Sequence, residues 1–212
     1  MTQPQAAAVS RPPAATLLQI DTGDLEQRLA QAGSADTCKG MFFNGLFQAA
    51  ERARGASAVE SLRKLAQGQK FVDFFNYPIA DFLPLAWHVS ELLGGGRTPM
   101  ALETGIRSLG RQSSEDFLAT AVGKTLMMLS GDPRRLMVSA ATGYKTAVSY
   151  GTRSVVWKAP THCIFSMRQD FMPHPYHEGL LLHMLTAVGG KNAKVTGQRL
   201  GLLDTDYEIS WS

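Results

Sequence analysis

The chain has 212 residues, 44% of them hydrophobic and 18% charged, with a formal net charge of +3. That suits one packed domain and excludes a chain too charged to fold. No run approaches the ~18 consecutive apolar residues of a membrane span, and so mild a charge argues against a nucleic-acid binder.

Residues 1–16 (MTQPQAAAVSRPPAAT) read as a disordered tail without a targeting role, because Pro12 and Pro13 interrupt any apolar core a signal peptide would need. A single domain then spans 17–212. Residues 37–54 place Phe42, Gly45, Leu46, Ala49 and Ala53 at helical spacing, with Gly55 as the stop. Ser57 and Glu60 form a capping-box pattern opening a short helix through Leu62 and Leu65. Asp81 is placed to cap a helix holding Phe82, Leu85, Ala86, Val89 and Leu93, with Pro84 in its first turn.

Thr98-Pro99 and Asp132-Pro133 each set a capping side chain before a proline that opens a helix. The first of these helices runs through Leu102, Ile106 and Leu109 to a stop at Gly110. The second carries Met137, Ala140, Ala141 and Tyr144 on one face. Between them, Ser113 or Ser114 precedes the acids Glu115 and Asp116 and starts a helix through Phe117, Ala121, Met128 and Leu129. Its low charge predicts cover on both sides, making it the central helix.

After Gly151 the period changes. Residues 152–158 and 162–168 are β-rich runs around an Ala-Pro-Thr turn, and Pro175 opens a helix over 176–188 that ends at Gly189-Gly190. A weaker strand covers 193–200, interrupted by Gly197. Residues 206–211 alternate Tyr207, Ile209 and Trp211 against Glu208 and Ser210, a half-buried strand. The fold class is α+β: a helical N-terminal half packed on a C-terminal antiparallel sheet of about four strands, in β-β-α-β-β order.

The run 39–44 (KGMFFN), ALETGIRSLGR at 101–111, DFLATAVGKTLM at 116–127, Tyr150-Gly151 and the closing YEISW at 207–211 resemble one family. It is a paralogous domain family of unknown function expanded in myxobacteria, and the resemblance spans residues 35–211. The element order also resembles the ligand-binding fold shared by haem NO-binding domains, vinyl-reductase-like sensor domains and TRAPP subunits. That resemblance implies an enclosed apolar cavity or dimerisation through helices, but fold alone assigns no function.

Haem does not follow from it. The haem NO-binding domains hold the propionates with a Tyr-x-Ser-x-Arg signature, and Tyr150-Gly151-Thr152-Arg153 departs from that spacing. No cofactor is expected. His174, His177 and His183, with Asp170 and Glu178 nearby, invite a zinc reading. Zinc ligands on a helix stand three or four residues apart, whereas His177 and His183 are six apart, so helix-end and surface histidines are expected and no metal. Cys38 stands ahead of the first predicted helix and Cys163 beside His162; both read as inert thiols suited to a cytoplasmic setting. No Gly-x-Ser-x-Gly elbow occurs, and Gly94-Gly95-Gly96 lacks the Lys-Ser/Thr of a phosphate loop. No catalytic residue is assigned.

The aromatics are more suggestive. Seven of the ten phenylalanines fall between Phe42 and Phe82. Phe42, Phe43, Phe47, Trp87, Met127, Met128, Tyr144, Trp157 and Phe165 are the candidate lining of an apolar pocket, with ordinary core or a dimer seam as the alternatives. Residues 107–168 carry nine basic against three acidic side chains. Arg134, Arg135, Lys145 and Arg153 are candidate anion ligands, with a solvated face as the alternative. The sequence therefore points to a cytoplasmic, non-enzymatic domain that senses or carries a small, mainly apolar ligand in a pre-formed cavity, as a homodimer. One alternative is an adaptor whose apolar helices form a subunit or partner interface. Another is a metal-dependent hydrolase using the 170–183 cluster.

Overall fold

The computed structural model describes residue 20 and residues 22–212. The tail expected over 1–16 lies outside the described residues. The described chain begins with α1 (Thr22–Gln31), β1 (Thr37–Lys39), α2 (Gly40–Arg54), α3 (Ala56–Leu65) and β2 (Asn76–Pro78). It continues through α4 (Ile79–Gly94), α5 (Pro99–Ala119), α6 (Ala121–Ser130) and α7 (Pro133–Ala147). The C-terminal third is β3 (Thr152–Ala159), β4 (His162–Arg168), α8 (His174–Ala187), β5 (Lys194–Arg199) and β6 (Thr205–Ser210). This is the α+β order read from the sequence.

The four-stranded sheet is antiparallel throughout, in spatial order β3-β4-β6-β5. Phe165 lies opposite Val155 on one side and Tyr207 on the other. Strict alternation buries Cys163, Phe165 and Met167 from β4 and Thr205, Tyr207 and Ile209 from β6 against the helices. Among the described residues no helix is long and apolar enough to cross a membrane.

The central helix is α8. It packs between α5 and the sheet, so Tyr176, His177, Leu180, Leu181, Met184 and Leu185 are all buried. The expected central helix over 117–129 does not exist as one element. Its first residues end α5, and Thr120 breaks the path by accepting from Gly123 N at 3.0 Å to start α6. Gly110 does not stop α5 either. It is where α8 crosses: a Cβ there would stand 1.8 Å from the Tyr176 carbonyl oxygen, and one on Gly179 would stand 2.0 Å from that of Arg107. These glycines serve backbone contact between helices rather than a turn.

Three other readings change at element ends. Residues 37–39 form β1 against β2, with Cys38 opposite Tyr77, so α2 begins only at Gly40. Ser57 caps nothing; α3 starts at Ala56, and the Ser57 hydroxyl donates back to the Arg54 carbonyl. Asp81 lies inside α4, which opens at Ile79 behind Pro78, and Pro84 therefore falls in the second turn. The Thr98 and Asp132 caps do form, accepting from Ala101 N at 3.3 Å and Arg135 N at 3.0 Å.

The α6–α7 hairpin is packed differently from the rest. In α7 only Leu136 and Met137 are fully buried, while Val122, Met128 and Val138 face outward, Met128 with 85% of its surface exposed. Its C-terminal end is fastened: Val148 bridges to Cys38, and Ser149 N donates to the Thr37 carbonyl at 3.0 Å.

Candidate functional site

The structure does not bring the nine apolar candidates into one wall. Phe43 is buried in a cluster with Phe71 (stacked, centroids 4.1 Å apart), Tyr77 and Phe82, while Phe42 and Phe47 are half-buried beside it. Trp87 is buried on α4. Met127 is half-buried and Met128 exposed on α6, and Phe165 and Trp157 lie on the sheet. Three cavities, of about 720, 400 and 350 Å³, open at the surface, and of the nine only Phe47 lines one of them. The anion candidates also separate. Arg134 lies 4.1 Å over the Trp157 ring and donates to the Pro160 carbonyl, Arg135 pairs with Asp132 at 3.5 Å, and Lys145 is exposed. Arg153 alone is buried.

Arg153 opens onto a buried polar chain. Alternation on β3 turns it inward, beneath α7. Its Nη1 donates to the Tyr150 carbonyl and its Nη2 to Asp170 Oδ2, while its guanidinium sits 4.4 Å from the Tyr144 ring. Asp170 Oδ1 faces His177 Nε2 at 3.0 Å and accepts from Met172 N at 3.0 Å. His177 Nδ1 lies 3.1 Å from the Tyr144 hydroxyl. A carboxylate cannot donate, so Nε2 carries the proton toward Asp170 and Nδ1 accepts from Tyr144 in the neutral ring.

Burial alone would raise the Asp170 carboxyl, but His177, Arg153 and the Met172 N–H outweigh it and hold the group well below the ordinary carboxylate range. Burial, reinforced by Asp170, pushes the Tyr144 phenol well above its usual range, so it stays a donor. Next to this chain, Arg28 of α1 donates to the Phe171 carbonyl at 3.1 Å and to Asp24 at 2.6 Å, and Asp24 also accepts from Arg199 of β5 at 2.6 Å. Among the described residues two buried side-chain donors lack a hydrogen-bond partner, Trp87 Nε1 on α4 and, in this polar chain, Arg153 Nε.

Sequence reasoning singled out each of these groups for another role or none. Expected at a helix end or the surface, His177 is fully buried, because α8 lies under α5. His183 instead meets Ser114 at 2.9 Å, and His174 packs against Gly197. Among the described residues no group of three His, Cys, Asp or Glu is placed to hold a metal. Cys38 lies in a strand rather than at a helix start, and burial, with Asp81 nearby, pushes its thiol far up; Cys163 is pushed up to about 11 by burial. Neither is an activated nucleophile.

A family profile described as "Protein of unknown function (DUF2378)" matches residues 31–212. No curated protein is detectably similar in sequence. Among solved structures, the chain is similar to an H-NOX protein from S. oneidensis in the Fe(II)NO ligation state: 13% identity and TM-score 0.65, covering 82% of this chain and 99% of that one. It is likewise similar to the Fe(II) unliganded H-NOX protein from K. algicida, with 13% identity, TM-score 0.62, and 82% and 96% covered. A third is the H-NOX domain from Shewanella woodyi in the Fe(II)CO ligation state, with 14% identity, TM-score 0.63, and 82% and 94% covered. The fold is H-NOX-like.

Haem, which that fold brings to mind, does not fit the residues present. His177 has both ring nitrogens engaged and no exposed surface. His162 is the one histidine that lines a described cavity, a polar groove where Glu208 holds its Nε2 at 3.0 Å. The buried guanidinium of Arg153 that would face an acidic group is already paired with Asp170.

Proposed function

The chain belongs to the DUF2378 family, and on its geometry we propose a non-enzymatic domain that responds to a small, mainly apolar molecule carrying one hydrogen-bond acceptor. The molecule enters between α7 and the sheet, and its acceptor meets the Arg153 Nε–H. The observation that carries this reading is that orphaned donor. A buried polar group without a partner costs about 1–3 kcal/mol, which an arriving acceptor recovers.

The moving part is the α6–α7 hairpin. Its C-terminal end is pinned at Val148 and Ser149, so α7 pivots there, and the Tyr144–His177 contact is the latch it must release. The cavity is thus formed on opening rather than standing ready, and ligand binding shifts the balance between closed and open α7. Val122, Met128 and Val138 on the outward side supply an apolar surface through which a second copy would sense that shift, in keeping with a homodimeric cytoplasmic sensor. The metal-dependent hydrolase gains nothing from the cluster, in which Asp170 and His177 bond each other while His183 meets Ser114 and Glu178 meets Arg107.

The test is amide exchange across the chain with and without octanoate and an apolar sulfonate dye, alongside native mass spectrometry of the protein as isolated. The expected result is fast exchange in α7, slowed by probe or by a co-purified molecule, with α5 and α8 unchanged. An α7 as protected as α8, with no molecule bound and no probe effect, overturns the reading.

A further inference from the structure

The loop between α3 and β2 is held in shape without the help of two of its own side chains. Asn44 Nδ2 donates to the Phe71 carbonyl at 3.1 Å and to Asp73 Oδ1 at 2.7 Å. The Tyr77 hydroxyl accepts from Val72 N at 2.9 Å, and Lys39 Nζ donates to the Phe74 carbonyl at 3.0 Å. Gly40 N and Met41 N donate to the Phe75 and Asp73 carbonyls. The approach is so close that a Cβ on Gly40 would lie 2.2 Å from the Val72 carbonyl oxygen.

Within this frame Phe71 turns inward to stack on Phe43. Phe74 and Phe75 turn out, 76% and 64% exposed, beside a half-exposed Val72, and they line none of the described cavities. Polar residues would serve the frame equally well. Two adjacent rings projecting from a backbone whose ordering entropy is already spent suit insertion into another phase.

Charge selects that phase. Lys39 and Lys70 flank the rings, and Asp73, the acid between them, is turned back onto Asn44. Lys70 and Arg63 line the adjoining groove between α2 and α3, where Glu51 is the acidic member.

We propose that this loop docks the domain on an anionic lipid surface, Phe74 and Phe75 entering the headgroup–acyl boundary and Lys39 and Lys70 resting on the headgroups. The contact is peripheral and is independent of the ligand reading above.

The experiment is flotation of the full chain with vesicles of phosphatidylcholine alone and with about 30 mol% phosphatidylserine. The expected result is binding to the anionic vesicles, weakened roughly tenfold or more by Phe74→Ser/Phe75→Ser and about fivefold by Lys70→Ala or by removing the serine lipid. A Phe74→Trp variant should shift its emission to the blue on the same vesicles. Equal binding by wild type and the double serine variant overturns the proposal, as does no binding at all. A concentration-dependent dimer in sedimentation that the same double substitution abolishes also overturns it, because a second copy then covers the rings. Both rings are exposed, so the melting temperature of the serine variant should match wild type and confirm its fold.

Discussion

Asp170→Asn tests the buried chain most directly. Asp170 and the Arg153 side chain are 4% and 1% exposed, so removing the carboxylate leaves a guanidinium with no counter-charge and almost no water. Breaking a buried pair in this way costs about 3–5 kcal/mol. For a domain of this size, 1 kcal/mol moves the melting temperature by about 2–4 °C, giving a predicted drop of roughly 6–20 °C. Urea unfolding at neutral pH measures the free energy, and a scan measures the midpoint. Arg153→Met/Asp170→Asn should be less destabilised than Asp170→Asn alone, since the stranded charge is gone. The pH dependence has a definite sign. The folded carboxyl titrates below its ordinary value near 3.8, so its stabilisation is complete above that value and is lost as pH falls from there toward the lower folded one. Wild type should therefore lose more stability than the variant as the solution is acidified, and the two curves should converge. A neutral-pH loss below about 1 kcal/mol, or an Arg153→Met effect that simply adds to it, would refute the pairing.

Tyr144→Phe removes the hydroxyl that meets His177 and should cost about 1 kcal/mol, read as roughly fivefold faster amide exchange in α7 with α8 unmoved. Gly110→Ala should lower stability by about 3 kcal/mol or more, or prevent folding, because its Cβ would enter the Tyr176 carbonyl; thermal melting of Gly110→Ala beside Gly143→Ala, which meets open space, checks this. Cys38 and Cys163 are 3% and 0% exposed with raised thiols, so a thiol reagent at pH 8 should label neither until urea unfolds the chain.

The sheet and two helix starts were legible because their signals are local. Tyr207 and Ile209 alternate with Glu208, and Thr98-Pro99 and Asp132-Pro133 carry cap and first turn in adjacent residues. What could not be read depends on what crosses what. Gly110 looks like a stop in one dimension and is a helix crossing in three. Helix α8, covered on both sides, has no polar face to give it an amphipathic stripe, so its centrality was hidden while the low charge of 117–129 pointed elsewhere. The tie between β1 and β2 was likewise invisible, its two strands being three residues each and far apart in sequence. At the site, Asp170 and His177 drew notice as a metal cluster, but their partners Arg153 and Tyr144 stand 17 and 33 residues away on a different strand and helix. The one local clue was a histidine and a glutamate set among leucines at 177–182.

The uneven fastening of the helices has its own logic. Helices α5 and α8 meet backbone to backbone at glycines, contacts that cannot slide without a clash, so they and the sheet form a rigid body. Helix α7 has only two fully buried apolar side chains, with Arg134 on Trp157 and the Pro160 carbonyl toward one end and the Tyr144–His177 contact toward the other. Apolar packing would have fixed it at no desolvation cost, since replacing a buried ion pair by hydrophobic residues is often neutral or stabilising. An acceptor arriving at Arg153 Nε competes with nothing already bonded there, while the guanidinium carbon lies 4.4 Å from the centre of the Tyr144 ring that α7 contributes. In the proposed opening Tyr144 moves aside, and that movement would give up its contact with His177. On the proposed reading, ligand occupancy and the position of α7 would be the same event, which a purely apolar core could not couple.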